Sequence, residues 1–181
     1  MNYQSIMDTK EIFSEIDGTI TEVEQLFSLF TEDEVNAIPF EGSWTAAQCI
    51  EHINLSLSGF IYQLFGPVRD TERQPDAGVQ QLRDMFLNFE NKFQASPPIK
   101  PASKNYKKAE LLSTLDELKT KLSSFDTSSD LSKTCVAVEL PFFGYLTRTE
   151  IAYFIIYHTQ RHLHQLKNIY NIINHTKINQ L

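Results

Sequence analysis

TEIAYFIIYHTQRHLHQL, from Thr149 to Leu166, decides the fold: its apolar residues recur at helical spacing, and His158 and His162 stand four residues apart within it. Four residues is close to one helical turn, so both imidazoles leave the face that also carries Ile151, Phe154, Ile155, Leu166 and Ile169. Two histidines that point toward the core need partners. Neutral imidazole suits Zn, Ni, Cu and Fe, and adjacent helical turns can offer two ring nitrogens to one ion. The competing reading is a pair of hydrogen-bonded core histidines, and a third inward histidine on another helix would favour the metal.

The start of this helix is well specified. Thr147 and Glu150 form a capping box, with Leu146 and Ile151 at the hydrophobic-staple positions. The arrangement recurs at Thr45 and Gln48, with Trp44 and Cys49 as staple, ahead of a helix expected from Ala46 to about Phe65 and ended by Gly66 and Pro67. Upstream, Ile12, Phe13, Ile16, Ile20, Val23, Phe27 and Phe30 predict a helix from about Met7 to Phe30, weakened locally by Gly18. Leu111, Leu112, Leu115, Leu118 and Leu122 predict another from about Lys108 to Phe125. Between them, Leu82, Met85, Phe86, Phe89 and Phe93 share one stripe of a helix expected from Val79 to Gln94, stopped by Pro97 and Pro98. Residues 68–79 read as a polar loop over one end of the bundle, and residues 136–146 as a buried connection without strands. The expected architecture is all-α, an antiparallel four-helix bundle with one additional shorter helix, in a single domain over residues 1–181.

Composition narrows the function classes. The chain of 181 residues is 41% hydrophobic with 6 Gly, ordinary for a helical globular protein. It has no run of 18 apolar residues and no signal-peptide pattern, so a soluble, cytoplasmic protein without membrane partners is expected. Net charge is −7, from 16 Lys and Arg against 23 Asp and Glu, which argues against a nucleic-acid partner. Cys49 and Cys135 are too few for a disulfide framework and read as free thiols.

His52 is the candidate third ligand. It lies two turns into the second predicted helix, with Gln48, Cys49, Leu55, Ser56 and Gly59 on the side expected to face inward. A three-histidine site of His52, His158 and His162 would leave a coordination position open for water or a substrate, as catalytic metals do. Three neutral imidazoles do not offset the charge of a divalent ion, so hydroxide, thiolate or carboxylate is the expected added ligand. His164 projects away from His162 and reads as surface; His175 falls in a polar tail expected to fray. Gln48 and Cys49 are explained by capping and staple. Glu51 leaves its helix about 100° from His52, so no general base, and no catalytic residue, is identified.

WTAAQCIEH at 44–52, followed after a long interval by HTQRHLHQL at 158–166, resembles the DinB-like (YfiT-like) superfamily. The resemblance covers nearly the whole chain in order and spacing. It implies a four-helix bundle with a metal held by His52, His158 and His162, and homodimers are common in the family. It also implies a metal-dependent hydrolase or, in one branch, a transferase that uses low-molecular-weight thiols on a small-molecule substrate. The divalent ion, whether Zn, Ni, Fe or Mn, is not set by three imidazoles. The alternative is a non-catalytic, stress-related bundle that binds a metal or small ligand. Loop residues 66–79 and 126–146 are expected to set specificity.

Overall fold

The structure, a computed structural model, describes residues 8–178, with side chains through His175. Six helices and one two-stranded ribbon form it: α1 (Thr9–Ser28), α2 (Glu32–Val35), α3 (Ala46–Leu64), β1 (Val68–Arg69), α4 (Val79–Phe86), α5 (Lys108–Ser123), β2 (Thr134–Cys135) and α6 (Arg148–Ile178). β1 and β2 pair antiparallel, Val68 opposite Cys135 and Arg69 opposite Thr134. A 3-10 turn at Pro97–Ile99 interrupts the α4–α5 connection.

The four long helices, α1, α3, α5 and α6, make the bundle. α1 packs on α5 and α6, and α3 packs on the same two, so the order around the bundle is α1, α6, α3, α5. α1 and α3, successive in the chain among the long helices, therefore sit diagonally. α5 and α6 sit diagonally in the same way, so the connections that carry α2 and β2 each cross the bundle. Ile12, Ile16, Ile20, Val23 and Phe27 of α1 are all buried, the stripe their spacing demands. Phe27 is 0% exposed, and truncating so large a core side chain to alanine is worth about 3–5 kcal/mol.

Both expected capping boxes form. Thr45 Oγ1 accepts from the Gln48 amide at 3.1 Å and Gln48 Oε1 accepts from the Thr45 amide at 3.0 Å. At α6 the Glu150 amide donates to Thr147 Oγ1 at 3.1 Å and the Thr147 amide donates to Glu150 at 2.9 Å. Glu150 does more than cap. Its carboxylate, fully buried, takes both guanidinium nitrogens of Arg73 at 2.5 and 2.6 Å and the Gly78 amide at 2.7 Å, clamping the 70–78 loop onto α6. A Cβ on Gly78 would stand 2.7 Å from Glu150 Oε1, so the clamp needs glycine there. Glu150→Ala removes one partner of this pair and leaves the Gly78 and Thr147 amides without their acceptor. We expect a loss of about 3 kcal/mol in urea unfolding; an unchanged midpoint would sink the clamp.

Four expectations are corrected. α4 stops at Phe86 rather than Gln94, because Arg161 of α6 donates to the carbonyls of Phe86, Asn88 and Asn91 and draws the chain out of the helix. Phe89 and Phe93 accordingly leave the stripe and lie 44% and 50% exposed. Residues 136–146 are not a buried connection: Val138, Phe142 and Tyr145 are exposed, and Leu140 and Gly144 close a small hairpin whose Phe142 has φ 69°. Gly59 is exposed on α3 rather than inward, and His175, exposed as expected, lies within α6 rather than in a tail beyond it. The expected start of α1 at Met7 lies outside the described residues. Among those residues, no helix is long and apolar enough to cross a membrane.

Candidate metal centre

α3 and α6 pack side by side, and the inward face of each carries the predicted histidines. His52 is 4% exposed, His158 7% and His162 8%, so the cluster sits at the edge of the core. His158 Nε2 lies 3.2 Å from His52 Nε2 and 3.2 Å from His162 Nε2. The three donor atoms all fall within 4.8 Å of one another. Tetrahedral zinc with Zn–N near 2.0–2.1 Å needs nitrogens about 3.3 Å apart, a spacing that two of the pairs already approach.

The outer ring nitrogens fix the tautomers. His52 Nδ1 lies 2.7 Å from the Ile99 carbonyl, which can only accept, so Nδ1 carries the proton and Nε2 a lone pair. His162 Nδ1 donates to Gln165 Oε1 at 2.9 Å, with the same result. A neutral His158 has at most one N–H to offer its two Nε2 neighbours, so at least one of the two lone pairs that face it at 3.2 Å is left without a proton. A single cation would accept all three. Extra protons are a poor substitute, since burial lowers the His52, His158 and His162 imidazoles below their ordinary value, His162 to about 3. For His158 the neighbouring His162, His52 and Arg161 push the same way. The donor set fits a divalent ion on this geometry.

Aromatic rings wall the cluster. Trp44 lies 5.0 Å from the His52 ring and 6.4 Å from His162, while Phe60, Phe86 and Phe154 stand 5.8, 5.8 and 6.0 Å from His158. Phe143 extends this wall through Phe154 at 5.8 Å. The sequence had marked Trp44 as a staple residue; here it also shields two of the histidines.

The remaining candidates fall where they were expected to fall. Cys49 Sγ turns to the His162 carbonyl at 3.7 Å, and burial raises its thiol to about 12 and that of Cys135 to about 11. Neither thiol is a nucleophile at neutral pH. His164 is exposed, stacked on Phe89 at 4.0 Å. Gln48, besides capping α3, donates to the Ala102 carbonyl at 3.2 Å.

Sequence reasoning missed the groups that orient the imidazoles. Gln165, three residues after His162, was legible as a helical neighbour. The Ile99 carbonyl carries no side-chain signature. Nor was the 88–107 segment expected at the site; residues 66–79 had been, and they are held at the α6 start instead. Such orienting groups are worth 10–100-fold in metal affinity. Gln165→Leu should weaken zinc binding by about that factor in a chelator competition, while Gln165→Glu restores or exceeds the wild-type value. Equal affinities in all three proteins would remove Gln165 from the site.

Residues 15–166 match the DinB superfamily. A solved structure, YfiT from Bacillus subtilis, described as a probable metal-dependent hydrolase with an unusual four-helix bundle topology, aligns at TM-score 0.59 over 96% of this chain and 93% of that one. Identity is 11%, so this likeness speaks for the fold. No curated protein matches the sequence. With the helix order and the three-histidine cluster in place, the family match over most of the chain is decisive: this protein belongs to the DinB superfamily.

Proposed function

We propose that the protein is a metal-dependent enzyme, a hydrolase or a low-molecular-weight thiol S-transferase, that holds a divalent ion on His52, His158 and His162. The observation that carries this is the convergence of three buried Nε2 atoms, two of them with tautomers set so that a lone pair points inward. Such an ion acts as a Lewis acid and lowers the pKa of a water or thiol in its open position. The chain's part is to hold three neutral nitrogens in place and to exclude water with the rings of Trp44, Phe60, Phe86 and Phe154. Cys49 and Cys135, both buried and raised, leave the nucleophile to come from solvent or a cosubstrate. The YfiT likeness supports the hydrolase reading, and the sequence resemblance supports the thiol branch.

The test is elemental analysis of protein purified without a histidine tag, followed by panels of ester and amide hydrolysis and of thiol addition to electrophiles. Near-stoichiometric metal and a turnover both lost in His158→Ala with His162→Ala would support the enzyme. Stoichiometric metal without turnover would identify a binding module. No metal after reconstitution would overturn the site.

A further inference from the structure

The chain is acidic overall, yet residues 91–109 contain five lysines, Lys92, Lys100, Lys104, Lys107 and Lys108, and no carboxylate. This segment crosses the histidine cluster. Asn91 accepts from Arg161, the Ile99 carbonyl accepts from His52 at 2.7 Å, and the Ala102 carbonyl accepts from Gln48 at 3.2 Å. The backbone that carries the lysines is therefore pinned at three points around the cluster. Lys100 follows directly on Ile99. Lys107 is paired with Glu110 at 2.9 Å, and Lys108 Nζ donates to the Ser28 and Phe30 carbonyls. Lys92, Lys100 and Lys104 are exposed, and among the described residues no carboxylate is within ion-pair distance of them. Glu90 and Glu110 are the carboxylates nearest in sequence to the two ends of this arc, and Glu51 of α3 acts on Tyr106 within it.

Arg161 adds a further positive charge, felt by both His158 and His162. Clustered charge of one sign beside low-dielectric walls focuses the field and raises the local concentration of an oppositely charged ligand. Within a Debye length of about 10 Å this acts on small molecules entering the site. A solvated charge run elsewhere on the surface would have no such consequence. Here the run lies on the segment whose Ile99 and Ala102 carbonyls hold His52 and Gln48.

We propose that the ligand of this site is a small molecule carrying two or more anionic groups, carboxylates or phosphates, drawn in by Lys92, Lys100 and Lys104. The inference rests on the metal-enzyme reading for what happens at the centre, and its test separates the two. Trimesate and benzoate, which share a ring and differ in carboxylate number, are titrated calorimetrically into cobalt-loaded and metal-free protein, with phenyl phosphate as the phosphate arm. In wild type at low salt, trimesate should bind at least about tenfold tighter than benzoate. The gap should shrink to within twofold in Lys92→Gln, Lys100→Gln, Lys104→Gln and in 0.5 M NaCl, a lever that needs no variant to fold. Phenyl phosphate binding above trimesate assigns the anion as phosphate; the reverse assigns carboxylate. A gap that persists in the variant, or is absent in wild type, overturns the proposal. Cobalt that fails to bind overturns the metal reading while leaving the anion gap to be read on metal-free protein.

Discussion

The metal-free protein should lose stability steeply as the pH falls below 6.5. An unfolded histidine titrates near 6.5, whereas burial holds His52, His158 and His162 below that value, His162 at about 3. Between the two values the unfolded chain binds protons that the folded chain refuses, so stability is fully present above pH 6.5 and drains away as the pH falls through it. One such histidine contributes a slope of about 1.4 kcal/mol per pH unit, and three together up to about 4. His162 alone could remove about 5 kcal/mol between its two values. Total stabilities are about 5–15 kcal/mol, so the metal-free protein should unfold well above the range where carboxylates titrate. Asp126 and Asp130, both lowered by bonds to serines, act at lower pH and do not disturb this window. Urea unfolding in EDTA from pH 8 to pH 4.5 reads the slope directly. A bound ion competes with these protons and should flatten it; a flat profile without metal would mean that the imidazoles are not buried as described.

What could be read from the sequence, and what could not, divides along a physical line. The long helices announce themselves because their pattern is local: α3 and α6 begin at capping boxes that four residues specify, and α1 is a repeat of buried Ile, Val and Phe. His52, His158 and His162 were legible because helical spacing sets which face a side chain leaves, and two such faces must meet in a bundle. α4 was misjudged because the apolar stripe from Leu82 to Phe93 is a sound helix pattern that a distant residue overrides, Arg161 taking the carbonyls that would have continued it. The 136–146 stretch was misjudged for a related reason. Its apolar composition suggested burial, but the Leu140–Gly144 hairpin turns Phe142 fully to solvent while Phe143 packs on Phe154. The diagonal placement of α1 and α3 has no local signature at all, since it follows from which pairs of helices meet.

His158→Leu is expected to cut metal affinity by about 10²–10³-fold and yet leave the metal-free protein at least as stable as wild type. The first effect follows from removing one of the three proposed ligands, each worth about 3–4 kcal/mol if the free energy of a structural zinc site is shared among its donors. The second follows from the surroundings. His158 is 7% exposed among Phe60, Phe86 and Phe154, and its Nε2 faces the other two imidazoles at 3.2 Å. Without a cation that nitrogen is desolvated for at most one hydrogen bond, a cost that leucine, of similar bulk, does not carry. The acid-labile proton site disappears with it, so the slope below pH 6.5 should fall by about one proton. Chelator competition measures the first effect and urea unfolding in EDTA the second. Unchanged metal affinity would remove His158 from the centre. A metal-free variant weaker by more than about 2 kcal/mol would instead mean that His158 is a structural residue whose bonds stabilise the bundle. Gain in stability together with loss of metal is the behaviour of a group kept for function at the expense of the fold, and the two measurements on one substitution separate that case from an ordinary core histidine.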